Sequence, residues 1–226
     1  MGTRPLNLVL AFDCAVTGLG VALVRDGTPL ASLREEGRDQ AARLLPAIVS
    51  LMATAGVERR DLEMIAVTVG PGSFTGVRVG LAAARGLAVA LAVPLAGITT
   101  TDALLAQAGQ RERVVVAAID SRLGDWFCAL NEDAGSPFLA SAEALAARLQ
   151  GRPSLVVGPE AANLASSLDS AIAEVMPIDP LIVARLALAQ GVETWRTRNR
   201  AEGLPRPLYL RGVNVTTPDG ARRTVE

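Results

Sequence analysis

Two aspartates, Asp13 and Asp120, each close an apolar run, LNLVLAFD and VVVAAID, and each leads into a short turn. A carboxylate at the end of a buried strand suits a hard cation such as Mg²⁺, and a glycine-bearing turn can bring backbone N–H groups to phosphate oxygens. Between them lies GPGSFTGVRVGLAAARGLA, residues 70–88, a loop-like half followed by a helix-like half. With Asp13, Asp120, Arg122 and Gly158, the loop glycines Gly70 and Gly72 are the candidates for a nucleotide cleft holding ATP or ADP with Mg²⁺. The segment is not a Walker A loop, because Val77-Arg78 stands where Lys-Ser/Thr is required. It is not G-x-G-x-x-G either, since Thr75 occupies the third glycine's place.

Composition removes other chemistry. The 226 residues contain no histidine, and all 22 basic residues are arginine. Histidine-bound zinc, a Ser-His-Asp triad, a Walker lysine and a Schiff base are therefore excluded. Cys14 and Cys128 are far apart in sequence and read as small buried residues in a reducing compartment. A formal net charge of −1 makes the whole molecule no magnet for nucleic acid or an anionic membrane. Residues 6–12 are too short an apolar run for a signal peptide, and the stretch 79–98 carries Arg85 and Pro94. A cytoplasmic protein with no membrane span is expected.

The elements that must position the aspartates fall into two echoing halves. Residues 6–13 read as a buried strand, 20–36 as a hairpin turning at Asp26-Gly27, 39–55 as a helix containing Pro46, 62–70 as a strand, 75–92 as a helix and 93–98 as a strand. AFDCAVTGLGVAL (11–23) is echoed by AIDSRLGDWFCAL (118–130), and VTVGPG (67–72) by LVVGPE (155–160). The expected fold is α/β, two ribonuclease-H-like lobes resembling the actin/Hsp70/sugar-kinase (ASKHA) superfamily. The division falls at 1–105 and 106–226, with one long helix over about 180–198 before an arginine-rich tail.

In the helical half, Gly76, Gly80, Ala84 and Ala88 recur every four residues along one strip. Glycine inside a helix costs about 1 kcal/mol relative to alanine, so Gly80 and Gly86 ask for a reason. A strip without side chains admits another backbone closely, from within the chain or from a partner. Arg78 and Arg85 lie nearly on one face, which suits an interface or a cleft rim. Ser73 or Thr75 can cap the helix.

The motif at 70–88, together with LAFDCAVTGLGVALVRDG, VAAIDSRLGDWFCAL and PRPLYLRGVN, resembles the TsaB (YeaZ) family from about residue 8 to 214. The resemblance implies a non-catalytic subunit. Its partner TsaD, with the ATPase TsaE, transfers a threonylcarbamoyl group to the adenosine 3′-adjacent to the tRNA anticodon. It implies no required cofactor and no metal site, and pairing through the helices at 39–55 and 75–92. The expected interface is Ser73, Phe74, Thr75, Gly76, Val77, Arg78, Gly80, Leu81, Ala84, Arg85 and Ala88, with Leu44, Leu45 and Ile48. The same face could pair two copies of the chain as a homodimer. Two departures from the family are Gln40, near where a histidine is common, and a first turn, CAVTGLG, poor in hydroxyls. A metallopeptidase label used for relatives lacks its histidine ligands here.

Two other readings remain. One is an autonomous small-molecule kinase or ATPase built on Asp13 and Asp120. The other is tRNA contact within the complex by the tail, where residues 191–226 carry seven arginines against four acidic residues. Its candidates are Arg196, Arg198, Arg200, Arg206 and Arg211.

Overall fold

Apolar runs without alternation make strands that are covered on both faces, and β1 (Leu8–Asp13) is buried throughout. In a computed structural model, describing residues 7–16, 18–37, 39–109, 112–133, 135–210, 213–216 and 222–225, β1 is the middle strand of a five-stranded sheet. It pairs antiparallel with β2 (Leu19–Arg25), which turns into β3 (Thr28–Glu35). Asp26 and Gly27 at that turn have φ of 49° and 82°, the left-handed pair that a two-residue hairpin requires. On the other side β1 pairs parallel with β4 (Met64–Thr68), and β4 with β5 (Leu95–Ile98).

The second sheet repeats the first. Its strands are β6 (Val114–Asp120), β7 (Trp126–Leu130), β8 (Phe138–Ala140), β9 (Ser154–Gly158) and β10 (Ala171–Val175). The order is β3-β2-β1-β4-β5 in one sheet and β10-β9-β6-β7-β8 in the other, so β6 takes the place of β1 and β9 that of β4. Both strand-end aspartates close the central strand of their sheet, as the sequence echo predicts.

Helices α1 (Gln40–Thr54) and α2 (Phe74–Leu91) back the first sheet and share its core with Phe12, Leu23, Ile65 and Val67. Helices α4 (Ala142–Leu149) and α5 (Ala161–Ala165) back the second. Between the sheets lie α3 (Thr100–Ala108) and α6 (Pro180–Gln190), in a core drawn from both, including Val9, Ala66, Val115 and Val157. The two helices cross over. Although α3 follows the first sheet, it packs on β6 and β7, and although α6 follows the second, it packs on β1 and β2. The division drawn at 105/106 thus falls inside α3.

The long helix expected over 180–198 is two helices. Gly191, with φ of 89°, ends α6 and opens α7 (Val192–Glu202). Trp195 then folds back, its indole N–H donating to the Ala187 carbonyl at 3.0 Å. Asn199 clamps the edge strand β5, accepting from Leu95 N at 2.7 Å and donating to Leu95 O at 3.0 Å. That mimics a neighbouring strand and blocks the sheet edge. Residues 204–209 continue as a strap over the first lobe: Pro205 lies on Gly97, and Leu208 N donates to Val69 O at 2.8 Å. A two-stranded hairpin, β11 (Val213–Thr216) with β12 (Arg222–Val225), follows.

Candidate functional site

Ser73 caps α2, its hydroxyl accepting from Gly76 N at 3.2 Å. The strip of small residues that follows faces inward. A Cβ on Gly76 would collide with the Cys14 carbonyl oxygen, and one on Gly80 would lie 3.4 Å from Val67 Cγ2 and 3.6 Å from Cys14 Cβ. Ala84 and Ala88 are buried, as are their larger neighbours Val77 and Leu81. The expectation that the strip offers backbone to a partner is therefore corrected. Missing side chains let α2 lie close on its own sheet and on the first turn. Leu44 and Ile48 of α1 are likewise core residues of this lobe. Gly86 is the exception in α2: it faces open space, and a Cβ added there would meet nothing within 4 Å.

The opposite face of these helices is exposed. Of the expected interface residues it carries Leu45, Ser73, Phe74, Thr75, Arg78 and Arg85. It also carries Val49 and Val89, which the sequence reading missed. They are 67% and 72% exposed, against 51% for Leu45 and Phe74. The missed signal was helical spacing, since Val49 follows Leu45, and Val89 follows Arg85, by one turn. α1 packs beside α2, so the two exposed faces belong to one layer. By length and mean hydropathy of 1.4, α2 could span a membrane; here its inner face is seated on β4.

At the start of α2, Arg78 is held by aromatic side chains. Its guanidinium carbon lies 3.3 Å from the Phe74 ring centroid, and its Nε donates to the Tyr209 hydroxyl at 2.9 Å. Tyr209 arrives on the strap, its ring centroid 6.1 Å from that of Phe74. No periodic pattern marks Tyr209 in the sequence.

The nucleotide-cleft candidates form one group in each lobe, Asp13, Gly70 and Gly72 in the first and Asp120, Arg122 and Gly158 in the second. Asp13 is wholly buried. Its Oδ1 accepts from Ala15 N at 3.0 Å and from the Thr68 hydroxyl at 2.6 Å, while Oδ2 has no hydrogen-bond partner. Burial pushes its pKa up, opposed by Thr68, Ala15 and the charge of Arg34. Gly20, paired with Asp13, lies under the Pro180 ring at the start of α6, and Arg34 Nη1 donates to Ile178 O at 2.7 Å. Gly70 accepts Thr100 N at 2.8 Å through its carbonyl, and Gly72 presses on the Ala15 carbonyl. These glycines fold the loop against its own lobe.

Asp120 differs. Its Oδ1 accepts from Arg122 N at 2.7 Å, and Arg122 bridges to Glu160 at 2.7 Å. Burial raises the Glu160 pKa; Arg122 opposes the rise and Asp120 adds to it. Gly158 abuts the Ala118 carbonyl. Among the described residues no group of three or more His, Cys, Asp or Glu is placed to hold a metal. Cys14 and Cys128 are buried, and burial raises both thiols to about 12.

Of the tail arginines, Arg196 pairs with Glu193 at 3.0 Å, and Arg198 stacks 4.6 Å from the Trp195 ring. Arg200 and Arg206 are exposed, and Arg211 lies outside the described residues.

Two sheets of matching strand order, with helices exchanged between them, define a two-lobed α/β protein of the ribonuclease-H-like, ASKHA type. The (R)-2-hydroxyglutaryl-CoA dehydratase component A of Acidaminococcus fermentans shares the fold alone, at 11% identity and a TM-score of 0.51. YeaZ from Pseudomonas aeruginosa superposes with a TM-score of 0.71 at 28% identity, over 91% of this chain and all of that one. A protein of the same species described as similar to peptidase YeaZ gives 0.73 at 29%, with the same coverage. Residues 34–135 match the family described as TsaD, tRNA N6-adenosine threonylcarbamoyltransferase. The tRNA threonylcarbamoyladenosine biosynthesis protein TsaB of Escherichia coli K12 is 37% identical over 123 residues, which is 54% of this chain and 53% of that protein. The Bacillus subtilis TsaB is 32% identical over 123 residues, 54% of each. The aligned region thus spans about half the length of the curated relatives. Over these regions the chain is similar to the TsaB (YeaZ) proteins.

Proposed function

We propose that this chain is a non-catalytic subunit in the biosynthesis of threonylcarbamoyladenosine in tRNA, working in the cytoplasm by docking the transferase TsaD on the outer faces of α1 and α2. The observation that carries this reading is the exposed apolar set Leu45, Val49, Phe74 and Val89 on two neighbouring helices. Similarity to the TsaB proteins supports the pathway. The sealed Asp13 and the arginine-bridged Asp120 support chemistry residing in the partner. The chain needs no cofactor of its own; ATP or ADP with Mg²⁺ belongs to a site between subunits, the ATPase TsaE joins the assembly, and tRNA is met there. Without TsaD the same face can pair two copies.

Co-expression with TsaD and TsaE tests it. A one-to-one complex with TsaD, and tRNA modification that requires both chains, are expected. Modification that proceeds unchanged without this chain would reject the reading.

A further inference from the structure

Arg78 is an exposed arginine whose side chain contacts two aromatic rings. Its guanidinium carbon lies over the Phe74 ring, 3.3 Å from the centroid, and its Nε donates to the Tyr209 hydroxyl at 2.9 Å. Among the described residues its two terminal nitrogens meet no acceptor. A long, flexible cation usually gives up rotamer freedom on binding, and a preset one gives up less. The free fork matches a carboxylate in a bidentate pair.

The surroundings define the ligand's sign. Together α1 and α2 hold three arginines, Arg43, Arg78 and Arg85, and no acidic residue. Arg43 is paired with Glu35 at 2.9 Å, leaving Arg78 and Arg85 on α2. A second copy docked through its own α1 and α2 would bring no carboxylate from those helices to Arg78. A partner with carboxylates on its docking surface complements it.

The geometry points to Arg78 as a preset anchor for an aspartate or glutamate of a different protein seated on α1 and α2. Tyr209 acts as a positioning residue delivered by the C-terminal strap. This inference rests on the docking reading above and takes TsaD as the carrier of that carboxylate. It makes the C-terminal strap part of the binding face, although the strap is distant in sequence from both helices.

The test measures TsaD binding to the full chain by titration calorimetry at low and high salt, with melting curves for every variant. Arg78→Lys keeps the charge and loses the fork. It is expected to weaken binding by about tenfold or more without shifting the melting point and to leave the salt dependence in place, whereas Arg78→Ala, which removes the charge, is expected to flatten it. Tyr209→Phe, which keeps the ring and removes the hydroxyl, is expected to weaken binding about threefold. If Arg78→Lys and Arg78→Ala bind TsaD within about twofold of the unmodified chain while Val49→Asp abolishes binding, the anchor is refuted and the docking reading stands. If Val49→Asp also binds normally, the docking reading fails and the anchor with it. Binding of tRNA to the isolated chain that is lost in Arg78→Ala would reassign the fork to phosphate and overturn the proposal.

Discussion

The two lobes share one strand order and diverge in what lies outside it. The first sheet is backed by helices of 15 and 18 residues, the second by helices of 8 and 5. The longer pair presents exposed valines, leucine and phenylalanine. At the strand ends, Asp13 is wholly buried, its sheet partner Gly20 lying against Pro180, while Asp120 is partly exposed and salt-bridged. The central strands must keep their burial for either sheet to form. The outer helices and the strand-end turns are free to change, and there the first lobe carries the longer helices with exposed apolar side chains and a wholly buried carboxylate.

Reversing the two faces of α2 has the largest expected effect. Ala84 is wholly buried, so Ala84→Arg forces an unpaired cation into the core and is expected to cost more than about 4 kcal/mol, read as insoluble or unfolded protein. Gly76→Ala drives a methyl into the Cys14 carbonyl; a loss of about 2 kcal/mol in urea unfolding is expected. A folded, fully stable Ala84→Arg would mean that the helix is turned the other way. Between lobes, Ala147→Asp on the exposed side of α4 is expected to leave TsaD binding unchanged, and loss of binding there would spread the docking layer to the second lobe.

The sealed aspartate gives a pH test. Its folded pKa is raised, so the folded state holds its proton more tightly than the unfolded state does. The favourable contribution is complete below the unfolded value of about 4 and is lost as pH rises through the folded value. Asp13→Asn should abolish that loss. Urea unfolding across the acid-to-neutral range is expected to show the unmodified chain losing stability relative to the variant as pH rises. Parallel curves would mean that Asp13 is ionised and reachable. The smallest effect belongs to Gly86→Ala, on the open face of α2, which should stabilise by about 1 kcal/mol.

Much of this was legible beforehand. Repeated strand–aspartate segments marked the duplication, and Asp26-Gly27 marked the hairpin. The orientation of α2 was not legible, because alanine and glycine satisfy either face and the inner side is recognised only by what it meets, here Cys14 and Val67. The crossing of α3 and α6 left no local mark, since an apolar helix fits either sheet. Gly191 broke a pattern otherwise continuous in helical period. Tyr209 acts across the chain on Arg78, a contact that spacing does not encode.

The most direct measurement is the affinity of purified TsaD for this chain and for the double variant Val49→Asp/Val89→Asp, with circular dichroism confirming that both are folded. The account predicts a tight one-to-one complex with the unmodified chain and a loss of about a hundredfold or more for the variant. Equal affinity in the two, with both chains folded, would contradict it.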